Sequence, residues 1–293
     1  LMTNTRFDFM GTNKKSLIIV SAVIIVCISS FAIRGLSQSI DFTGGRNFKV
    51  QFENPVEPEQ VRELIASKFG DANVSVIAIG TDKKTVRIST NYRIEDAGNN
   101  VDSEIESYLY ETLKPVLTQN ISLETFIDRD NHTGGSIVSS QKVGPSIADD
   151  IKTGAIYSVV LALLAIGLYI LLRFRNIAYS IGSIVALSCD TIMIIGAYSL
   201  FWGILPFSLE IDQTFIGAIL TAIGYSINDK VVIFDRVREF FGLYPKRDKR
   251  QLFNDSLNTT LARTINTSLS TLIVLLCIFI LGGDSIRSFA FAM

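Results

Sequence analysis

Asp229 and Lys230 stand side by side in GYSINDKVVIFDRVRE, residues 224–239, inside an apolar run long enough to cross a bilayer. A charge at mid-bilayer costs about 2.5–3.5 kcal/mol on insertion scales, so an acid there needs a partner, water or a proton. Burial favours the neutral form of a carboxylic acid, which makes an intramembrane aspartate a proton-binding group. Asp229 is read as functional on that ground, with Ser226 and Asn228 as polar neighbours on the same helix. Lys230 reads differently: Arg236 lies only about 10 Å further along a helix, and a lysine snorkels over such a distance. Residues i and i+1 do not share a helix face, so Asp229 and Lys230 are not expected to pair.

A second polar stripe lies in LARTINTSLSTL. Arg263, Asn266, Thr267 and Ser270 fall at i, i+3, i+4 and i+7, one face of a helix. A topogenic arginine accounts for Arg263 alone, and helix-to-helix hydrogen bonding accounts for Thr267 and Ser270. Neither explains the whole stripe, which in an antiparallel pair comes near the depth of Asp229. Asp190, in ALSCDTIMI, is a further intramembrane acid, with no partner evident from spacing.

The elements that must position these groups are membrane helices. About 20 mostly apolar residues span the hydrocarbon, and five stretches qualify: 16–33, 154–172, 177–201, 214–234 and 261–281. A sixth begins at SIRSFAFAM and stops with the chain. The first is too long for the core of a cleaved signal peptide and is read as a signal anchor. Lys14, Lys15, Arg173, Arg175, Arg236, Arg238, Lys246, Arg247, Lys249 and Arg250 fall on one side when spans alternate. WGILPFSLEID, on the other side, has no Lys or Arg. The expected division is a cytoplasmic amino terminus over 1–15, a first span over 16–35, an extracytoplasmic domain over 36–150, and spans two to five with the start of a sixth over 151–293.

Residues 46–144 change character. RNFKVQFE alternates as a strand, EPEQVRELIASKF has helical spacing, NVSVIAIG and KTVRIST read as paired strands joined by TDKK, VDSEIESYLYETLKPVL as a second helix, and GSIVSSQKV as a last strand. The order β-α-β-β-α-β is that of a ferredoxin-like split unit. TQNISLETFIDRDNHTGG is expected to be a loop. The region shows no nucleophile–base–acid arrangement, and Gly44–Gly45 is too short for a phosphate-binding loop, so binding or mechanical work is expected rather than catalysis.

Hydrophobic residues make up 48% of the 293, and the net charge of −1 gives no footprint for nucleic acid. Cys27, Cys189 and Cys277 are scattered singly in apolar runs, and His132 is the lone histidine, so no metal site and no cofactor is expected.

Five motifs together carry a resemblance: FDFMG before the first span, IDFTGG after it, VGPSIADDIK entering the second, GYSIND with VVIFDRVRE, and ARTINTSLSTL. In this order the chain resembles the SecF family of protein-export membrane proteins and the second half of fused SecDF chains. The resemblance implies an RND-like bundle of six spans, the last cut short here, with the ferredoxin-like domain inserted, in the inner (cytoplasmic) membrane. It implies SecD, the SecYEG channel and unfolded preprotein as partners, and use of the proton-motive force to help draw preproteins outward. It carries the proton-relay roles to Asp229 and Arg263, and the family's DFTGG motif to Asp41, Phe42, Thr43, Gly44 and Gly45, where the glycines supply a permissive backbone turn. Two positions depart from the pattern: Lys230, where relatives often have a small or hydroxylic residue, and Cys189, where His is common. Two other functions compete with the proton-driven one: a passive chaperone-like scaffold of the translocon, and half of an RND-type small-molecule exporter.

Overall fold

The computed structural model describes residues 7–70, 74–79, 83–96, 100–118, 121–130, 135–205, 207, 209–282 and 284–293. Among the described residues, five helices are long and apolar enough to cross a membrane: α1 (Phe9–Arg34), α6 (Pro145–Phe174), α7 (Ile177–Phe201), α8 (Gln213–Leu243) and α9 (Lys249–Leu281). Four of them start at a side chain that accepts from an otherwise unpaired first-turn N–H: Asp8, Asn176, Asp212 and Asp248. α6 instead begins with Pro145, whose missing N–H has no role in a first turn. The stretch expected to begin a sixth span forms α10 (Asp284–Ala292).

Between α1 and α6 lies an inserted domain. Its elements are α2 (Ile40–Thr43), β1 (Gly45–Phe52), α3 (Pro58–Phe69), β2 (Val74–Ile79), β3 (Thr85–Thr90), α4 (Val101–Leu113), α5 (Leu123–Ile127) and β4 (Gly135–Val143). The sheet order is β2-β3-β1-β4, antiparallel throughout, the arrangement of the expected ferredoxin-like unit. Alternation divides the sheet's faces. Phe48, Val50, Phe52, Val86, Ile88 and Ile137 pack against Val61, Ile65 and Phe69 of α3 and Ile105, Leu109 and Leu113 of α4. Asn47, Lys49, Arg87, Ser139 and Gln141 line a cavity of about 400 Å³ that Asp41 and Asp212 share, so the sheet's polar face lies over the end of the helical bundle. The segment expected to be a loop contains α5. Ser122 caps it, Phe126 is completely buried, and Tyr110 donates to the Ile121 carbonyl at 2.6 Å. A helix of five residues is too short to show a 3.6-residue period. His132 and the first two residues of the TDKK connection lie outside the described residues.

The bundle packs through small residues, as membrane helices do when lipid offers no hydrophobic drive between them. Gly196 of α7 lies against Cys27 of α1, and Ser30 and Ser199 share a buried 3.1 Å hydrogen bond. Gly167 of α6 admits Ile184 of α7, and Ser180 donates to the Gly167 carbonyl at 2.6 Å. At the end away from the inserted domain, Phe174, Tyr179 and Phe234 cluster, and Arg173 pairs with Asp235 at 3.2 Å.

Candidate functional site

Two polar stripes run along α8, about 100° apart on the helix. Ser226 and Lys230, one turn apart, face α7: both the Ser226 hydroxyl and the Lys230 ammonium donate to Asp190 Oδ2 at 2.6 Å. The Lys230 ammonium also contacts Ser226 Oγ. The other stripe, Tyr225, Asp229 and Arg236, faces α9. Thr271 donates to the Tyr225 hydroxyl at 2.9 Å, and Arg236 Nε donates to Thr259 Oγ1 at 3.2 Å. Asp229 lies between these two contacts, four residues on from Tyr225 and on the same face. The antiparallel register puts it level with Asn266 and Thr267, and puts Arg263 one turn farther from the inserted domain.

Of the residues the sequence singled out, the structure brings Ser226 into contact with Asp190, and it corrects one expectation. Lys230 does not reach for the membrane surface; it is the partner that Asp190 lacked in the linear sequence. An ammonium among apolar side chains gains more from a carboxylate across the helix pair than from extending to distant water. Asp229 and Lys230 take different faces, as expected from their adjacency. Among the described residues Asp229 and Arg263 form no ion pair within 4 Å. Asp229 is half-buried, while Asn228, Arg263, Asn266 and Ser270 are exposed. Thr267 and Ser270 donate to the carbonyls of Arg263 and Asn266, at 2.6 and 2.8 Å. The spanning part of α9 has no buried residue, so its polar stripe is open on the flank of the bundle.

A second constellation joins the inserted domain to the start of α8. Asp41 accepts from the Gln213 N–H at 3.3 Å, Phe42 enters the bundle's apolar cluster, and Thr43 donates to the Ser39 carbonyl at 3.1 Å. Gly44 and Gly45 have φ of 71° and 151°, which turn the chain from α2 into β1. Alongside, Ile211 exchanges backbone hydrogen bonds with Ser37 and Ser39 at 2.8 and 3.0 Å. Glu210 accepts from Arg87 at 2.8 Å and from Ser75 at 3.3 Å. Burial pushes the Glu210 carboxyl up, against the pull of Arg87, and also raises Asp212 despite its capping bond to Phe215. Sequence reasoning missed Glu210 and Arg87, because nothing in the linear sequence ties residues from separate segments of the chain. It also missed how the FDFMG segment docks: the N–H groups of Phe7 and Phe9 donate to Asn258 and Asn254 of α9, at 2.8 and 2.7 Å. No cluster of metal ligands occurs among the described residues.

Residues 125–293 match the model of the C-terminal region of SecD/SecF protein-export membrane proteins. The chain belongs to the SecD/SecF family. Residues 29–56 match the SecD/SecF GG motif, which covers the turn at Gly44–Gly45. Over its whole length the chain is 36% identical to the protein translocase subunit SecF of Rhodothermus marinus, covering 88% of that protein. It is 29% identical to SecF of Haemophilus influenzae, with 98% of this chain and 79% of that one aligned. The crystal structure of the translocon-associated membrane protein SecDF from Thermus thermophilus superposes with a TM-score of 0.79 at 28% identity. All of this chain is covered there, but only 36% of the SecDF chain, so it spans about a third of that fusion. A super-membrane-facing form of SecDF gives a TM-score of 0.63 at 29% identity, with 100% and 36% covered. Within the SecD/SecF family the chain thus aligns along most of SecF and with one portion of SecDF.

Proposed function

We propose that this SecF-type chain works with SecD beside the SecYEG channel, and uses the proton-motive force to assist the export of unfolded preproteins. The observation that carries the proposal is Asp229, half-buried within a spanning helix, on the face whose neighbours Tyr225 and Arg236 contact α9. In this reading Asp229 takes and releases the proton, and Arg263 responds to its charge. Asn228, Asn266 and Thr267 supply hydrogen-bonding groups for water between them. A neutral Asp229 leaves the Arg263 guanidinium without a counter-charge at that depth, whereas an ionised one attracts it, so protonation changes what holds α8 to α9. Because α8 starts at the clamp formed by Asp41, Glu210 and Arg87, a shift of α8 reaches the inserted domain. This work is transport and not bond chemistry. The Lys and Arg of the short loops support an orientation with the amino terminus in the cytoplasm and the inserted domain outside the inner membrane. The passive-scaffold reading leaves the intramembrane acid without a purpose.

The test is Asp229→Asn in the full complex with SecD and the translocase. Gradient-stimulated export of a reporter preprotein is expected to fall to the level seen without a gradient, with insertion of the protein unchanged. Undiminished stimulation would overturn the relay.

A further inference from the structure

We propose that Asp190 and Lys230 form a standing ion pair that sets the rotation of α8 against α7 and thereby presents Asp229 to α9. Lys230 is then the fixed counter-ion that keeps Asp190 out of proton traffic. The proposal rests on the reading of Asp229 as the proton-binding group.

The geometry points this way at three places. First, Asp190 stands near the middle of α7, about 20 Å along the helix from its start and about 17 Å from its end at 1.5 Å per residue, so the pair lies deep in the span. Second, Ser226 and Lys230 both donate to one oxygen of Asp190, Oδ2. Two donors converging on one oxygen fix where the carboxylate sits between the two helices. The side chains retain only 19% and 33% exposure for Lys230 and Asp190. Among the described residues no other charged side chain contacts either one. Third, the α7-facing stripe and the α9-facing stripe share the same two turns of α8. Tyr225 and Asp229 are each followed directly by a member of the other stripe, so a rotation of α8 that broke the Asp190 contact would carry Asp229 off the α9 face. The pair acts on the relay through Asp229, as positioning residues.

A buried ion pair has a characteristic response to substitution: removing one partner leaves an uncompensated charge, whereas removing both is tolerated. The experiment compares Asp190→Asn, Lys230→Met and the double variant in the full-length chain with its SecD partner. The readouts are gradient-stimulated export in translocase-bearing vesicles, its pH profile, and the thermal midpoint of the purified protein in detergent. Each single variant is expected to lose at least about tenfold of the stimulation, and the double variant to recover to within about twofold of the parent. The double variant should also keep the parent's pH profile, because Asp190 exchanges no proton in the cycle.

A double variant no better than the worse single one, or a displaced pH profile, would make Asp190 a proton carrier and overturn the proposal. So would single variants that behave like the parent. If the single variants fail to insert, the thermal midpoint decides: recovery in the double variant supports the pair, and its absence overturns it. Failure of the relay appears separately, as an Asp229→Asn chain that retains gradient-stimulated export, while the coupling between positions 190 and 230 is still read from the midpoints.

Discussion

Gly45 has a φ of 151°, and a Cβ built there would stand 2.9 Å from both the Thr90 carbonyl oxygen and Ile40 Cγ2. The backbone oxygen cannot yield as a flexible side chain could. Gly45→Ala is therefore expected to destabilise the protein by about 1–3 kcal/mol, from strain at a backbone conformation that side chains disfavour plus the contact. A thermal-melting comparison with the parent chain measures it. The motif that places glycine here was visible in the sequence, and so was its service as a turn. Its long-range partner was not, because Thr90 arrives from the end of β3. Asp229 shows the same division. Its cost in a membrane follows from residue type and hydropathy, whereas its facing toward α9 follows from hydrogen bonds at Tyr225 and Arg236, which hydropathy does not encode.

At the scale of elements, the clamp between the inserted domain and α8 is the joint that matters. It is built from the loop before α8, the linker after α1 and strands β2 and β3. Glu210 is buried within it, and its carboxyl is raised by burial more than Arg87 and Ser75 lower it. The sign follows from linkage. A carboxyl raised in the folded state binds more protons folded than unfolded, so its contribution to stability grows as pH falls from neutral toward the ordinary glutamate range. Glu210→Gln removes that contribution to the slope. The variant is expected to lose stability relative to the parent as pH falls from neutral to about pH 5, read as the difference between their melting midpoints. A parent that instead loses ground to the variant as pH falls would show that Arg87 dominates. Helix and strand positions in this part of the chain were largely legible, since alternation and the 3.6-residue period act locally. α5 was not, because five residues fit less than two turns.

At the scale of the whole molecule, apolar residues such as Leu161, Leu164, Leu272 and Ile273 are exposed along the helical part, as lipid-facing surface would be. The uneven distribution of Lys and Arg among the short connections sets the expected orientation. A cysteine introduced by Glu104→Cys, on the inserted domain, is expected to react with a membrane-impermeant maleimide from outside intact inner membranes. Reaction only from the cytoplasmic side would invert the topology. Before labelling, Cys277, the exposed cysteine, is best replaced, while Cys27 is buried against α7.

The sequence by itself determined the spans, their alternation, the α+β insertion and the list of polar residues that must not stand unpartnered in hydrocarbon. Those follow from local periodicity and from the unfavourable transfer of charge into lipid, and each can be counted along a single chain. Only the tertiary structure decided who partners whom. Asp190 received Lys230 and Ser226, Glu210 received Arg87, and Asp229 was turned to α9. The physical reason is that an ion pair depends on distance and on the rotation of two helices about their axes. Lys230 in GYSINDKVVIFDRVRE, a snorkelling residue by its spacing alone, is the one that α7 holds in place.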